Sequence, residues 1–105
     1  TRRVRNAGTI ADGGTLTIDF AADDLVNCVW NNGLTIAGSN YVAGRVVKVM
    51  ATKGSGSGTD SITFNGFTAN HISSGTTSSS YSADVTAIIE FISTTAAVGG
   101  VYIKL

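Results

Sequence analysis

Apolar and polar residues alternate along several short stretches of this 105-residue chain. Over residues 15–20, Leu16, Ile18 and Phe20 fall on one side, and Thr15, Thr17 and Asp19 on the other. A period of two is the mark of a half-buried β-strand. Residues 25–30 predict a second strand, with Leu25, Asn27 and Val29 on one face and Val26, Cys28 and Trp30 on the other. Asn31-Asn32-Gly33 follows, and Asn-Gly predicts a tight hairpin turn into a short strand over 34–37. Residues 45–51 are apolar on both sides, which predicts a central strand. A short strand over 61–64 runs into a second Asn-Gly turn at 65–66.

Over residues 84–93, Val85, Ala87, Ile89 and Phe91 alternate with Thr86, Ile88, Glu90 and Ile92. The length admits a helix, but the β-branched content favours a long strand buried on both sides. Residues 101–105 form the last strand. The Gly-Ser run at 54–58 and the Ser/Thr/Gly stretch over 73–82 predict exposed connections. Seven to eight short strands with turns between them predict an all-β fold, an antiparallel β-sandwich of jelly-roll-like topology. No internal repeat is visible.

Composition changes this picture in one respect. Charged residues are 13% and proline is absent, against about 25% charged in an ordinary soluble domain. So little charge on a β-rich chain predicts that other subunits cover much of its surface. The charge is also uneven, because Arg2, Arg3 and Arg5 lie together at the start. Residues 1–7 therefore predict a basic arm, and 8–105 a single domain. Without interleaved aromatic residues the arm suits a neighbouring subunit, not nucleic acid. Trp30, Tyr41 and Met50 are further candidate contacts. No stretch is long and apolar enough to span a membrane.

The search for chemistry finds little. There is one histidine, His71, and no serine lies in a nucleophile motif. One Cys and one His are too few for a zinc site within the chain. Cys28 predicts a buried structural thiol. Asp12, Asp19, Asp23 and Asp24 cluster, but not at the spacing of a calcium loop. They predict a solvated turn. The glycines at 54–58 lack the Gly-Lys-Ser/Thr ending of a phosphate loop. Trp30, Tyr41 and Tyr81 suggest a carbohydrate-binding patch, although the only Trp of a small domain also suits the core. The expectation is a protein that is not an enzyme and uses no cofactor or metal.

Several motifs follow one another in a recognisable order. Gly13-Gly-Thr-Leu-Thr-Ile-Asp-Phe20 is followed by Asn32-Gly-Leu-Thr-Ile36, Ala43-Gly-Arg-Val-Val-Lys-Val49 and Ser61-Ile-Thr-Phe64. Val85-Thr-Ala-Ile-Ile-Glu-Phe91 and Gly100-Val-Tyr-Ile103 close the chain. This order resembles a small β-module of tailed-bacteriophage virion proteins: head decoration proteins, fibres and spikes. The resemblance covers residues 8–105 and implies an antiparallel sandwich, assembly as a homotrimer and no enzymatic site. It also implies a place on the outer surface of the virion, against the major capsid protein or other virion subunits. The module fills nearly the whole chain, which favours a capsid decoration (cement) protein that stabilises the head shell. The alternative is a receptor-binding or fibre-tip module that touches host glycans through the loop over 73–82.

Overall fold

The structure is a computed structural model and describes residues 3–54, 60–65, 80–94 and 101–104. Nine strands and no helix are found among them: β1 (Val4–Ile10), β2 (Thr15–Asp19), β3 (Leu25–Trp30), β4 (Leu34–Ser39), β5 (Val46–Lys53), β6 (Asp60–Asn65), β7 (Ser80–Tyr81), β8 (Thr86–Ser93) and β9 (Val101–Lys104). They form two sheets. One has the order β1-β3-β5-β8-β9 and the other β2-β4-β6-β7.

The chain therefore crosses between the sheets at nearly every connection. β1, β3 and β5 pair in parallel, and so do β2, β4 and β6. Each of the first three turns of the chain lays one strand in each sheet, as in a parallel β-solenoid. Antiparallel pairing is confined to β5–β8, β8–β9 and β6–β7. The expected antiparallel jelly roll is thus corrected. The all-β class holds, but most pairings are parallel, because consecutive strands lie in different sheets and meet only one turn later.

The same geometry corrects the repeat reading. Thr15, Thr35 and Thr63 align across β2, β4 and β6, as do Leu16, Ile36 and Phe64. The coil thus repeats an apolar residue after an aligned threonine, at unequal chain spacing. The corners stack as well. Gly13 N–H donates to the Asn32 carbonyl at 2.8 Å, and Thr35 N–H to the Gly14 carbonyl at 3.0 Å. Asn31-Asn32-Gly33 makes no hairpin. It turns the corner from β3 to β4, with Gly33 at φ 73°, a conformation that glycine adopts without penalty.

Alternation decides the core. Leu16, Ile18, Phe20, Val26, Trp30, Leu34, Ile36, Val47, Val49, Ile62, Ile89 and Phe91 from both sheets form one buried cluster. Phe64 and Phe91 meet edge to face at 5.8 Å. β8 was expected to be buried on both sides. Only Ala87, Ile89, Phe91 and Ser93 point inward, and Ile88 is 58% exposed.

The expected boundary at residue 7 falls inside β1. That strand runs beside β3 from Val4↔Leu25 to Ile10↔Trp30, with a bulge between Asn6 and Gly8. Residues 4–7 belong to the sheet and are not an arm in front of it.

Candidate interaction surface

Arg3 and Arg5 are both paired within the chain. Arg5 donates from Nε and Nη2 to the Asp23 carboxylate at 3.0 and 2.8 Å, and from Nη2 to the Thr17 carbonyl at 2.8 Å. Asp23 is only 5% exposed and also accepts from the Asp19 N–H at 2.9 Å. Arg3 donates from its backbone N–H and its guanidinium to Asp24, which also accepts from Arg45 at 2.9 Å. These pairs tie β1 to the corner between β2 and β3.

The charges shift accordingly. The hydrogen bond from Arg5 holds the Asp23 carboxyl below the usual carboxylate range. The Arg3 guanidinium, then its backbone N–H, push Asp24 down to about 2. The same hydrogen bonds raise Arg3 and Arg5. The solvated turn expected at Asp23-Asp24 is therefore an ion-paired corner. No cluster able to hold a metal ion occurs among the described residues.

Of the other candidate contacts, Arg2 lies outside the described residues. Trp30 is 1% exposed. Its ring meets Tyr81 edge to face at 6.0 Å, and the Lys53 ammonium sits 5.2 Å from the ring centroid. Trp30 is thus corrected from contact to core. It sits on the inward row Ile10–Trp30–Lys53 across β1, β3 and β5. Tyr41 is half-buried and stacks on Phe20 at 5.3 Å. Three aromatics engaged in packing do not make the suggested carbohydrate patch. His71, the glycines at 55–58 and residues 73–79 lie outside the described residues.

Lys53 is fully buried and donates to the Asn31 carbonyl. Its place in the inward alternation of Val47, Val49 and Ala51 is the sequence signal for that burial.

Met50 alone among the described candidates lies on the outer face of the five-stranded sheet. The outer side of the five-stranded sheet carries three rows of residues. One row is Val4, Leu25, Lys48 and Glu90; the next is Asn6, Asn27, Met50 and Ile88; the third is Thr9, Val29, Thr52 and Thr86. Val46 and Ile92 continue it at one end. Val4, Val29, Val46 and Ile88, four of the large exposed apolar side chains, stand on this face. Among its described side chains Lys48 and Glu90 carry the charge, and they approach to 3.8 Å.

Comparison with protein-family models, curated proteins and solved structures finds no match. The face must therefore be read from its own chemistry.

A groove of about 270 Å³ lies in it, where the β1 bulge and Gly8 leave room beside Asn27, Met50 and Thr52. Asn27 Nδ2 donates to Asn6 Oδ1 at 3.1 Å, and the Thr52 and Thr86 hydroxyls pair at 2.9 Å. The groove walls are neutral amides and hydroxyls, its apolar part is Val29 and Met50, and Cys28 and Gly8 complete the lining. Nothing in this set is a nucleophile with a base beside it.

Cys28 is the one thiol in the lining, and it belongs to the core cluster at 4% exposure. The expected buried thiol is thus present, and burial pushes it up to about 11. A thiol reagent such as Ellman's should label the native chain at least ~100-fold more slowly than the urea-unfolded chain, since a buried protonated thiol reacts only on opening. Equal rates would place Cys28 at the surface.

Proposed function

We propose that this chain is a non-catalytic structural subunit of a bacteriophage virion: a capsid decoration (cement) protein on the outer surface that stabilises the head shell. The observation that carries the assembly role is the outer face of the five-stranded sheet, where Val4, Val29, Val46 and Ile88 stand exposed among amides, hydroxyls and one Lys–Glu pair. A face with exposed apolar side chains and few charges has the composition of a subunit contact, whose centre is depleted in charge. The low charge of the chain points the same way. The virion setting rests on the resemblance of its motif order to phage β-modules.

The contact surface differs from the one the sequence suggested. Arg3 and Arg5 are held by Asp24 and Asp23, so the sheet face replaces a basic arm as the point of contact. A subunit that binds only the assembled shell stabilises that shell by mass action. Antibody labelling of purified virions by electron microscopy tests the reading. Label over the head surface is the expected result, and absence of the chain from virions would overturn it.

A further inference from the structure

We propose that the corner at Asn32-Gly33 is a self-modification site: Asn32 exchanges its side-chain amide for a carboxylate, and that carboxylate breaks the rung joining this corner to the one between β1 and β2. The proposal does not depend on the virion reading.

Asparagine is among the chemically labile side chains. Its loss of ammonia needs an unhindered backbone nitrogen on the next residue. Asn6, Asn27, Asn31, Asn40 and Asn70 are each followed by a residue with a side chain, and Asn6 and Asn27 lie in paired strands. Asn32 is followed by Gly33. It is exposed and stands outside the strands, between β3 and β4. The Gly33 N–H donates no hydrogen bond among the described residues, so no ladder bond has to break before it reacts. Having no Cβ, Gly33 lets the main chain close on the Asn32 side chain. The Gly33 nitrogen attacks Asn32 Cγ. The N–Cγ bond forms, the Cγ–Nδ2 bond breaks, and the nitrogen's proton leaves with the amide as ammonia. Water then opens the cyclic imide at either carbonyl and gives aspartate or isoaspartate. Asn65 also precedes a glycine, and that glycine lies outside the described residues.

The tertiary structure sets what the product does. Asn32-Gly33 stacks on Asp12-Gly13, with Gly33 against Gly13 and the two glycines at φ 73° and 69°. Asn32 Nδ2 donates to Asp12 Oδ2 at 3.2 Å, and Gly13 N–H donates to the Asn32 carbonyl at 2.8 Å. Loss of the amide removes that donor and sets a second carboxylate against Asp12. Like charges directly opposite one another on neighbouring turns destabilise. In isoaspartate the main chain also runs through Cβ and Cγ, so the carbonyl that accepts from Gly13 leaves the main chain altogether.

Peptide mass mapping of the folded chain, held at mildly alkaline pH, should find aspartate and isoaspartate accumulating at position 32. The rate should lie within about tenfold of that in the urea-unfolded chain, as where local opening costs little. Asn32→Asp reproduces one product and should lower the urea midpoint at neutral pH by roughly 0.5 M. Asn32→Ser removes the amide without adding charge and should lose less. In the double variant Asp12→Asn/Asn32→Asp donor and acceptor change places, and the midpoint should return toward that of the wild type. A folded chain that forms no product at position 32 while the unfolded chain does would overturn the site. An Asn32→Asp midpoint equal to that of Asn32→Ser, or one that Asp12→Asn does not restore, would overturn its effect on the corner.

Discussion

Trp30→Ala should cost the folded chain about 3–5 kcal/mol, the range for truncating a large aromatic in a packed core. Trp30 is 1% exposed and meets Tyr81 edge to face. It also shields the Lys53 ammonium, which lies 5.2 Å from the ring centroid. Truncation would leave a cavity and would remove the cation–π contact from a fully buried lysine. Small domains have about 5–15 kcal/mol of stability in all, so the variant should fold but melt far earlier. Urea unfolding followed by circular dichroism should show the midpoint falling by ~2–3 M, at a slope of about 1.5 kcal/mol per M. Trp30→Phe should lose much less. It keeps one ring and drops an indole N–H that has no acceptor among the described residues. An unchanged midpoint with altered self-association would instead return Trp30 to the surface.

Asp23→Ala should be the second largest loss, about 2–3 kcal/mol, as expected when hydrogen bonds to a charged group are removed. The carboxylate accepts three bonds, two from Arg5 and one from the Asp19 N–H. The Arg5 side chain is 43% exposed, so solvent screens the ion pair, and most of the loss comes from leaving donors unpaired. The same corner sets the acid response. Asp23 and Asp24 are both held below their ordinary carboxylate value by arginine hydrogen bonds, Asp24 at about 2. A carboxyl depressed on folding stabilises the native state above its unfolded value, near ~3.9, and that stability is lost as pH falls through the folded value. The urea midpoint should therefore be flat from neutral pH to about 5 and fall progressively toward pH 2. In Asp24→Asn the acid limb should be shallower and the neutral midpoint lower. A midpoint flat down to pH 2 would mean that the corner does not hold β1.

Seven strands can be read from the alternation, and their inward faces follow once one face is assigned to the core. Leu16/Ile18, Val47/Val49 and Ile89/Phe91 all point inward as their period requires. β1 does not show in the alternation because its bulge and Arg5 break it, and β7 because two residues show no period. The parallel order was missed because Asn32-Gly33 has the residues of a hairpin turn. A glycine at positive φ serves a hairpin and a solenoid corner equally well. The Thr15–Thr35–Thr63 alignment was the available signal for the coil. It was hidden by unequal spacing, since the segment over 54–59 lengthens the third turn.

The candidate surface divides along the same line. Met50 was singled out from sequence, and it does lie on the open face. Arg3, Arg5 and Trp30 were singled out with it, and all three are engaged internally. Charge and aromaticity mark residues able to make strong contacts, but they do not say whether the partner lies in the same chain.

By itself the sequence determined the all-β class, the inward rows and the buried thiol, because each depends on local period and residue type. Only the tertiary structure decided which strands are neighbours and which face stays open. Those depend on where the chain returns after each corner, and on Asp23 and Asp24 meeting Arg5 and Arg3 some twenty positions earlier. The outer face that carries the proposed function exists only after that folding. Its rows are drawn from β1, β3, β5 and β8, segments that the sequence keeps apart.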